Sequence, residues 1–160
     1  MALLSIVAAF ATRVLLVLLF LPFSALDKIL NFRQAVDQAA EAAPSRSLAT
    51  GLIFAGLSVE VFMSIAILVG IADRLAALVL AVYCVVTALL WKQFWKRTDF
   101  RLHGVSHGRD LFWDFLKNLA VGGGFLALAS GASANGFAEF VSHPLASSHP
   151  YSLSSGTVGR

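Results

Sequence analysis

Two ionisable residues stand inside stretches of sequence that are otherwise apolar. Arg13 lies at the middle of the run Leu3–Phe23, and Glu60 near the middle of the run Gly51–Ala72. A charged side chain at the centre of a bilayer costs about 2.5–3.5 kcal/mol on insertion scales, so it normally faces protein or water. Adjacent spans therefore present opposite charges at similar depth. A guanidinium and a carboxylate can share two parallel hydrogen bonds that partly offset the desolvation of both. The expectation is that Arg13 and Glu60 face the bundle interior and pair or share a polar cluster, as a clamp on helix register or as a functional site. A later run adds Asp114, Lys117 and Asn118 at i, i+3 and i+4, on one helical face. The third run contributes Tyr83, one helical turn from Thr87 and beside Cys84. Arg13, Glu60, Lys117, Asn118, Asp114 and Tyr83 are the candidates for an interior polar cluster, although Lys117 could instead snorkel its amine to the interface.

Other chemistry has less support. His103 and His107 are four apart, a spacing that can ligate a metal from one helix face, but a glycine follows each and no Cys or Glu joins them. His143 and His149 each precede a proline. No metal site is expected. The sequence holds no phosphate-cradling glycine loop after a strand, no Gly-x-Ser-x-Gly elbow and no His-Glu-x-x-His helix. The single Cys84 excludes a disulfide within one chain and reads as a small buried hydrophobe. A self-sufficient catalytic signature is missing, which leaves an oxidoreductase subunit as the enzyme-linked option.

The elements that must position these residues follow from composition. Of 160 residues, 58% are hydrophobic and 13% charged, about half the charge of a soluble domain. An ordinary soluble enzyme and a disordered chain are both excluded. Four runs reach the roughly 17–25 residues a spanning helix needs, at about 3–23, 51–72, 75–91 and 115–134. None alternates with period two, so the expected fold is all-α, a membrane four-helix bundle forming one domain over 1–134. Phe23-Ser24-Ala25 is a poor cleavage site, and the first run reads as a retained helix.

The connection Ser24–Thr50 carries apolar residues at helical spacing and reads as an amphipathic interfacial helix ended by Pro44. Asp73-Arg74 reads as a tight turn between the second and third spans. The connection Lys92–Asp114 is basic, with Lys92, Lys96, Arg97, Arg101 and Arg109, and is flanked by Trp91, Trp95 and Trp113. Residues 135–160 read as a flexible polar tail. Twelve Lys+Arg against nine Asp+Glu give a net charge of +3. Because the cations gather between apolar runs, they read as topology signals and not as a nucleic-acid surface. The positive-inside rule places the two longer connections in the cytoplasm and both termini outside.

The order of these features resembles the DoxX family of small four-helix membrane proteins. Arg13 and Lys28, with Phe20, Phe23 and Ser24 between them, are similar to the family's first-span pattern. Glu60, Ile67-Leu68-Val69-Gly70, Arg74 and Ala76-Ala77 resemble its second. Phe115-Leu116-Lys117-Asn118-Leu119-Ala120 with Gly122–Gly124 resembles its last. The likeness covers roughly residues 10–131, and it departs where Ser24-Ala25-Leu26-Asp27 precede the first Lys in place of a glycine. It implies an accessory subunit of a quinone-linked redox system in a bacterial inner membrane, with quinone as the ligand to consider. No haem ligand pair lies within the spans. The alternatives are a small homo-oligomeric carrier for a small anion or proton, and a membrane scaffold docking a cytoplasmic partner through the basic third connection. The expected partners are the lipid bilayer and a membrane or peripheral protein, or further copies of the chain.

Overall fold

The computed structural model describes residues 2–131 and 136–152, and all regular structure among them is helical. Helix α1 (Ala2–Val17), a π-helical turn (Leu19–Ser24) and α2 (Ala25–Leu30) run on as one apolar stretch, Leu3–Leu30. The first span therefore does not stop at Phe23. Pro22 lacks an N–H and its ring clashes with the carbonyl four residues back, which would break an α-helix. The wider turn absorbs it: the Ala25 N–H bonds the Phe20 carbonyl, five residues back. That extra residue turns Phe20 and Ala25 into the core and brings Ser24 and Lys28 to the inner side.

Asn31 breaks the stretch, with its side-chain amide donating to Asp27 at 2.8 Å. The expected amphipathic helix then appears as α3 (Phe32–Ala40). It buries Val36 and Ala39 against Ala49 and Ile53 and turns Arg33, Asp37 and Gln38 outward.

Helix α4 (Arg46–Val69) starts at Ser45, whose hydroxyl accepts the Leu48 N–H at 3.2 Å, and stops at Gly70, whose φ of +78° suits glycine. Its buried stripe is Ala49, Ile53, Glu60, Ser64 and Ile67. The turn into α5 (Asp73–Trp91) is Gly70–Ala72, and not Asp73-Arg74. Asp73 instead opens α5, where a carboxylate complements the helix dipole. Helix α6 (His107–Ser130) begins eight residues before the expected Phe115, because Ser106 and Asp99 supply two separate caps. The Ser106 hydroxyl accepts the Arg109 N–H at 3.1 Å, and the Asp99 carboxylate accepts the N–H of His107 at 2.7 Å and of Gly108 at 3.3 Å. Desolvation alone would raise the Asp99 carboxyl; the donated N–H groups outweigh it and hold the group below the ordinary aspartate value.

Together the Leu3–Leu30 stretch, α4, α5 and α6 supply four helices long and apolar enough to cross a membrane, assembled as a bundle. Lipid offers no hydrophobic drive for helices to associate, so close packing must do it. Gly122 lets α6 lie on α5, where a Cβ in its place would meet Cys84 at 3.3 Å. Leu80, Ile67, Phe125, Ala77 and Val17 fill the centre.

The segment beyond α6 is not free of contacts, as a flexible tail would be. Arg74 reaches the carbonyl oxygens of Ala129 (3.0 Å), Ser130 (3.3 Å) and Gly136 (2.6 Å), tying the end of α6 to a short α7 (Gly136–Ser142). Farther on, Ser147 accepts the Ala72 N–H at 3.1 Å, and Tyr151 donates to the Leu68 carbonyl at 2.7 Å. Residues 132–134 of the expected fourth span, and the tail beyond 152, lie outside the described residues.

Candidate ligand site

Antiparallel packing fixes which polar groups meet. The first stretch runs opposite to α4, so Ser24 and Lys28 come level with Glu60, while Arg13 comes level with the start of α5. Glu60 lies about 21 Å from the start of α4 and about 14 Å from its end, hence near mid-membrane. Its Oε1 accepts from Lys28 Nζ, from the Ser24 hydroxyl at 3.1 Å and from the Tyr83 hydroxyl at 2.8 Å. Lys28 also donates to Ser24 Oγ at 2.7 Å. Glu60 is only 1% exposed, yet its Oε2 has no hydrogen-bond partner among the described residues. Gly56 makes room for the phenol, since a Cβ there would stand 3.0 Å from Tyr83 Oη.

These four side chains form the inner end of a cavity of about 570 Å³. Helices α2 and α3 give it a polar wall of Asp27, Asn31, Gln34 and Gln38. Helices α4 and α5 give an apolar wall of Leu52, Val59, Val86 and Leu90. Trp91, Lys92 and Asn118 also line it, toward the end of α5. Its charged lining is balanced, with Asp27 and Glu60 against Lys28 and Lys92. A neutral molecule with a polar head and an apolar body matches such a space better than an anion, which would find no uncompensated cation.

The expected pairing of Arg13 with Glu60 does not occur. Arg13 donates to Asp73 Oδ2 at 2.8 Å, forming a second buried pair at the α4–α5 turn. Ser148 closes it: its N–H donates to Asp73 Oδ1 at 2.9 Å, and its hydroxyl contacts both Asp73 and, at 2.9 Å, the Arg13 guanidinium. Both residues sit at the middle of their apolar runs, but the first stretch is longer than its run and slides along α4. Eleven residues, about 16 Å of helix, separate Arg13 from Ser24.

Of the other candidates, Tyr83 joins Glu60, and Asn118 lines the cavity. Lys117 and Asp114 do not reach the interior. The Lys117 side chain is 74% exposed and lies 3.4 Å from Asp114, which also faces Lys92 at 3.3 Å. The position of Lys117 at the helix surface, a turn from the basic connection, lets its amine stay with polar surroundings. Residue types alone did not mark Ser24, Lys28, Asp73 or Ser148 as cluster members. For Ser24 and Lys28 the usable signal is their i, i+4 spacing just after Pro22.

The family model for DoxX matches residues 8–93, more than half of the chain. The chain belongs to the DoxX family. The matched segment of this DoxX-family protein contains Arg13, Lys28, Glu60, Asp73 and Tyr83, and so the charged residues of both clusters, while α6 and Ser148 lie beyond it. No curated protein and no solved structure matches the chain.

Proposed function

We propose that this DoxX-family protein binds a neutral amphipathic molecule of the quinone class and serves as an accessory subunit of a quinone-linked redox system. The carrying observation is the cavity that ends on Lys28, Glu60 and Tyr83. Its volume falls within the roughly 300–1,000 Å³ of small-molecule sites, and it combines an apolar wall with a few convergent polar groups. A quinone carbonyl needs a donor, which Lys28 Nζ or the Tyr83 hydroxyl supplies. The reduced form needs an acceptor for its hydroxyl, and Glu60 Oε2 is a buried acceptor without a partner. The charge balance of the lining speaks against a small anion as cargo.

The setting proposed is the bacterial inner membrane. Arg33, Arg46 and the basic α5–α6 connection would face the cytoplasm, because cations concentrate at that end. A redox-active protein partner would supply and remove the electrons that this chain has no group to carry.

The test is to quantify quinone co-purified with the detergent-solubilised protein, then to titrate a short-chain ubiquinone while following tryptophan fluorescence, since Trp91 lines the cavity. Saturable quenching is expected, weakened about tenfold in Glu60→Gln and Lys28→Met, with helicity by circular dichroism unchanged; loss of one such buried charge-assisted hydrogen bond accounts for that factor. Neither co-purified quinone nor saturable quenching in the wild type would overturn the proposal.

A further inference from the structure

The α5–α6 connection has a surface that the cavity does not explain. It is held in a definite shape. A single 3₁₀ turn (Phe94–Lys96) places the Phe94 ring against Trp95, Phe100, Phe112 and Phe115, with ring centroids 5.1–5.7 Å away. The Phe100 backbone lies against Gly108, where any Cβ would come within 3.0 Å. The Ser106 hydroxyl bridges the loop by donating to the Asp99 carbonyl at 2.6 Å and accepting the Arg101 N–H at 3.2 Å. The connection is therefore an ordered lobe at the ends of two spanning helices.

Its charges are unbalanced. Asp99 is engaged by the first N–H groups of α6, Asp114 lies between Lys92 and Lys117, and Asp110 faces Arg109. Lys96, Arg97 and Arg101 are exposed and make no ion pair among the described residues. Beside them stand large apolar side chains turned outward: Leu102 at 72% exposure and Val105 at 99%, with half of Trp95 uncovered. A loop in water would not present these. A loop that settles into headgroups needs both, since its cations meet lipid phosphates while its apolar tips and indole enter the acyl boundary.

We propose that this lobe is a binding surface for anionic phospholipid, with Lys96, Arg97 and Arg101 contacting lipid phosphates and Leu102 and Val105 dipping below them. The occupant is the leaflet in which the protein already sits, because the lobe continues directly from α5 and α6. The inference is independent of what the cavity holds. A surface cation near an anionic leaflet contributes about fivefold in partitioning, so three together predict at least about a tenfold preference.

The full chain is reconstituted in nanodiscs of phosphatidylcholine with 30% phosphatidylglycerol (a mole fraction of about that size, chosen for an anionic surface). Lipids retained on extraction are then counted by native mass spectrometry. The wild type is expected to enrich phosphatidylglycerol about tenfold over the bulk, with the preference falling as salt is raised. The combined variant K96Q/R97Q/R101Q is expected to bring it near parity, whereas K96R alone retains it. Quinone quenching and circular dichroism of the combined variant report separately on the cavity and the fold. Absence of a preference in the wild type would overturn the proposal and assign the cations to a soluble acidic partner. A preference that survives the combined variant, or that millimolar inorganic phosphate abolishes at constant ionic strength, would overturn it as well.

Discussion

The two buried ion pairs are built from the same chemistry and are enclosed differently. At Asp73, both carboxylate oxygens are engaged by Arg13 and by the backbone and hydroxyl of Ser148, and the side chain is wholly buried. At Glu60, three donors crowd onto one oxygen and leave the other without a partner, while the Lys28 side chain keeps 19% of its surface on a cavity. A pair closed on every side can only hold helices in register. A pair with a spare acceptor and a neighbouring space can also meet a ligand. The functional burden is thus assigned to Glu60, and the structural burden to Asp73.

The strongest way to break this contrast is to remove one member of the closed pair. Arg13→Gln or Asp73→Asn leaves an uncompensated buried charge and is expected to destabilise the fold by about 3–5 kcal/mol, with the double variant less harmed than either single one. Unfolding in mixed micelles measures it, and quinone quenching per folded molecule should stay at the wild-type level. Equal loss of binding and stability in these variants would dissolve the distinction. Glu60→Gln comes next, with a cost of about 1–3 kcal/mol, because Lys28 can turn its ammonium toward the cavity. Here quenching should fall more than stability does. Gly56→Ala is milder: the new methyl displaces the Tyr83 hydroxyl from Glu60, removing one hydrogen bond worth about 1 kcal/mol and weakening quinone quenching a few-fold.

The smallest effect concerns pH and touches neither pair. The Asp99 carboxyl is held below its ordinary value in the folded state by the N–H groups of His107 and Gly108. Its contribution is complete above the ordinary aspartate value and is lost as pH falls through the depressed folded one. Amide exchange at the first turn of α6 should accelerate only across that acidic window, and Asp99→Asn should remove the pH dependence.

What the sequence made legible follows from what is local. Four apolar runs and the amphipathic segment 32–40 identify the bundle and α3, since length and periodicity are properties of contiguous residues. Glu60 and Tyr83 stood out because polar groups in apolar runs are conspicuous. The pairings were not legible. Arg13 and Glu60 sit at matching positions in their runs, but the axial offset of two helices depends on how the whole first stretch lies along α4. Ser148 is 135 positions from Arg13, in a stretch whose Ser, His and Pro content signals no contact at all. Lys117 misled for the opposite reason, because a shared helical face does not reveal whether that face points in or out.

The widened turn at Leu19–Ser24 has a genetic consequence. A π-turn is equivalent to one residue inserted into an α-helix, so losing a single codon there would restore regular winding. Everything downstream would rotate by about 100°, carrying Lys28 off Glu60 and toward the acyl chains, while Arg13 upstream stayed clasped to Asp73. One deletion in this short window would uncouple the two halves of the first helix, leaving the molecule assembled and its cavity without a cation.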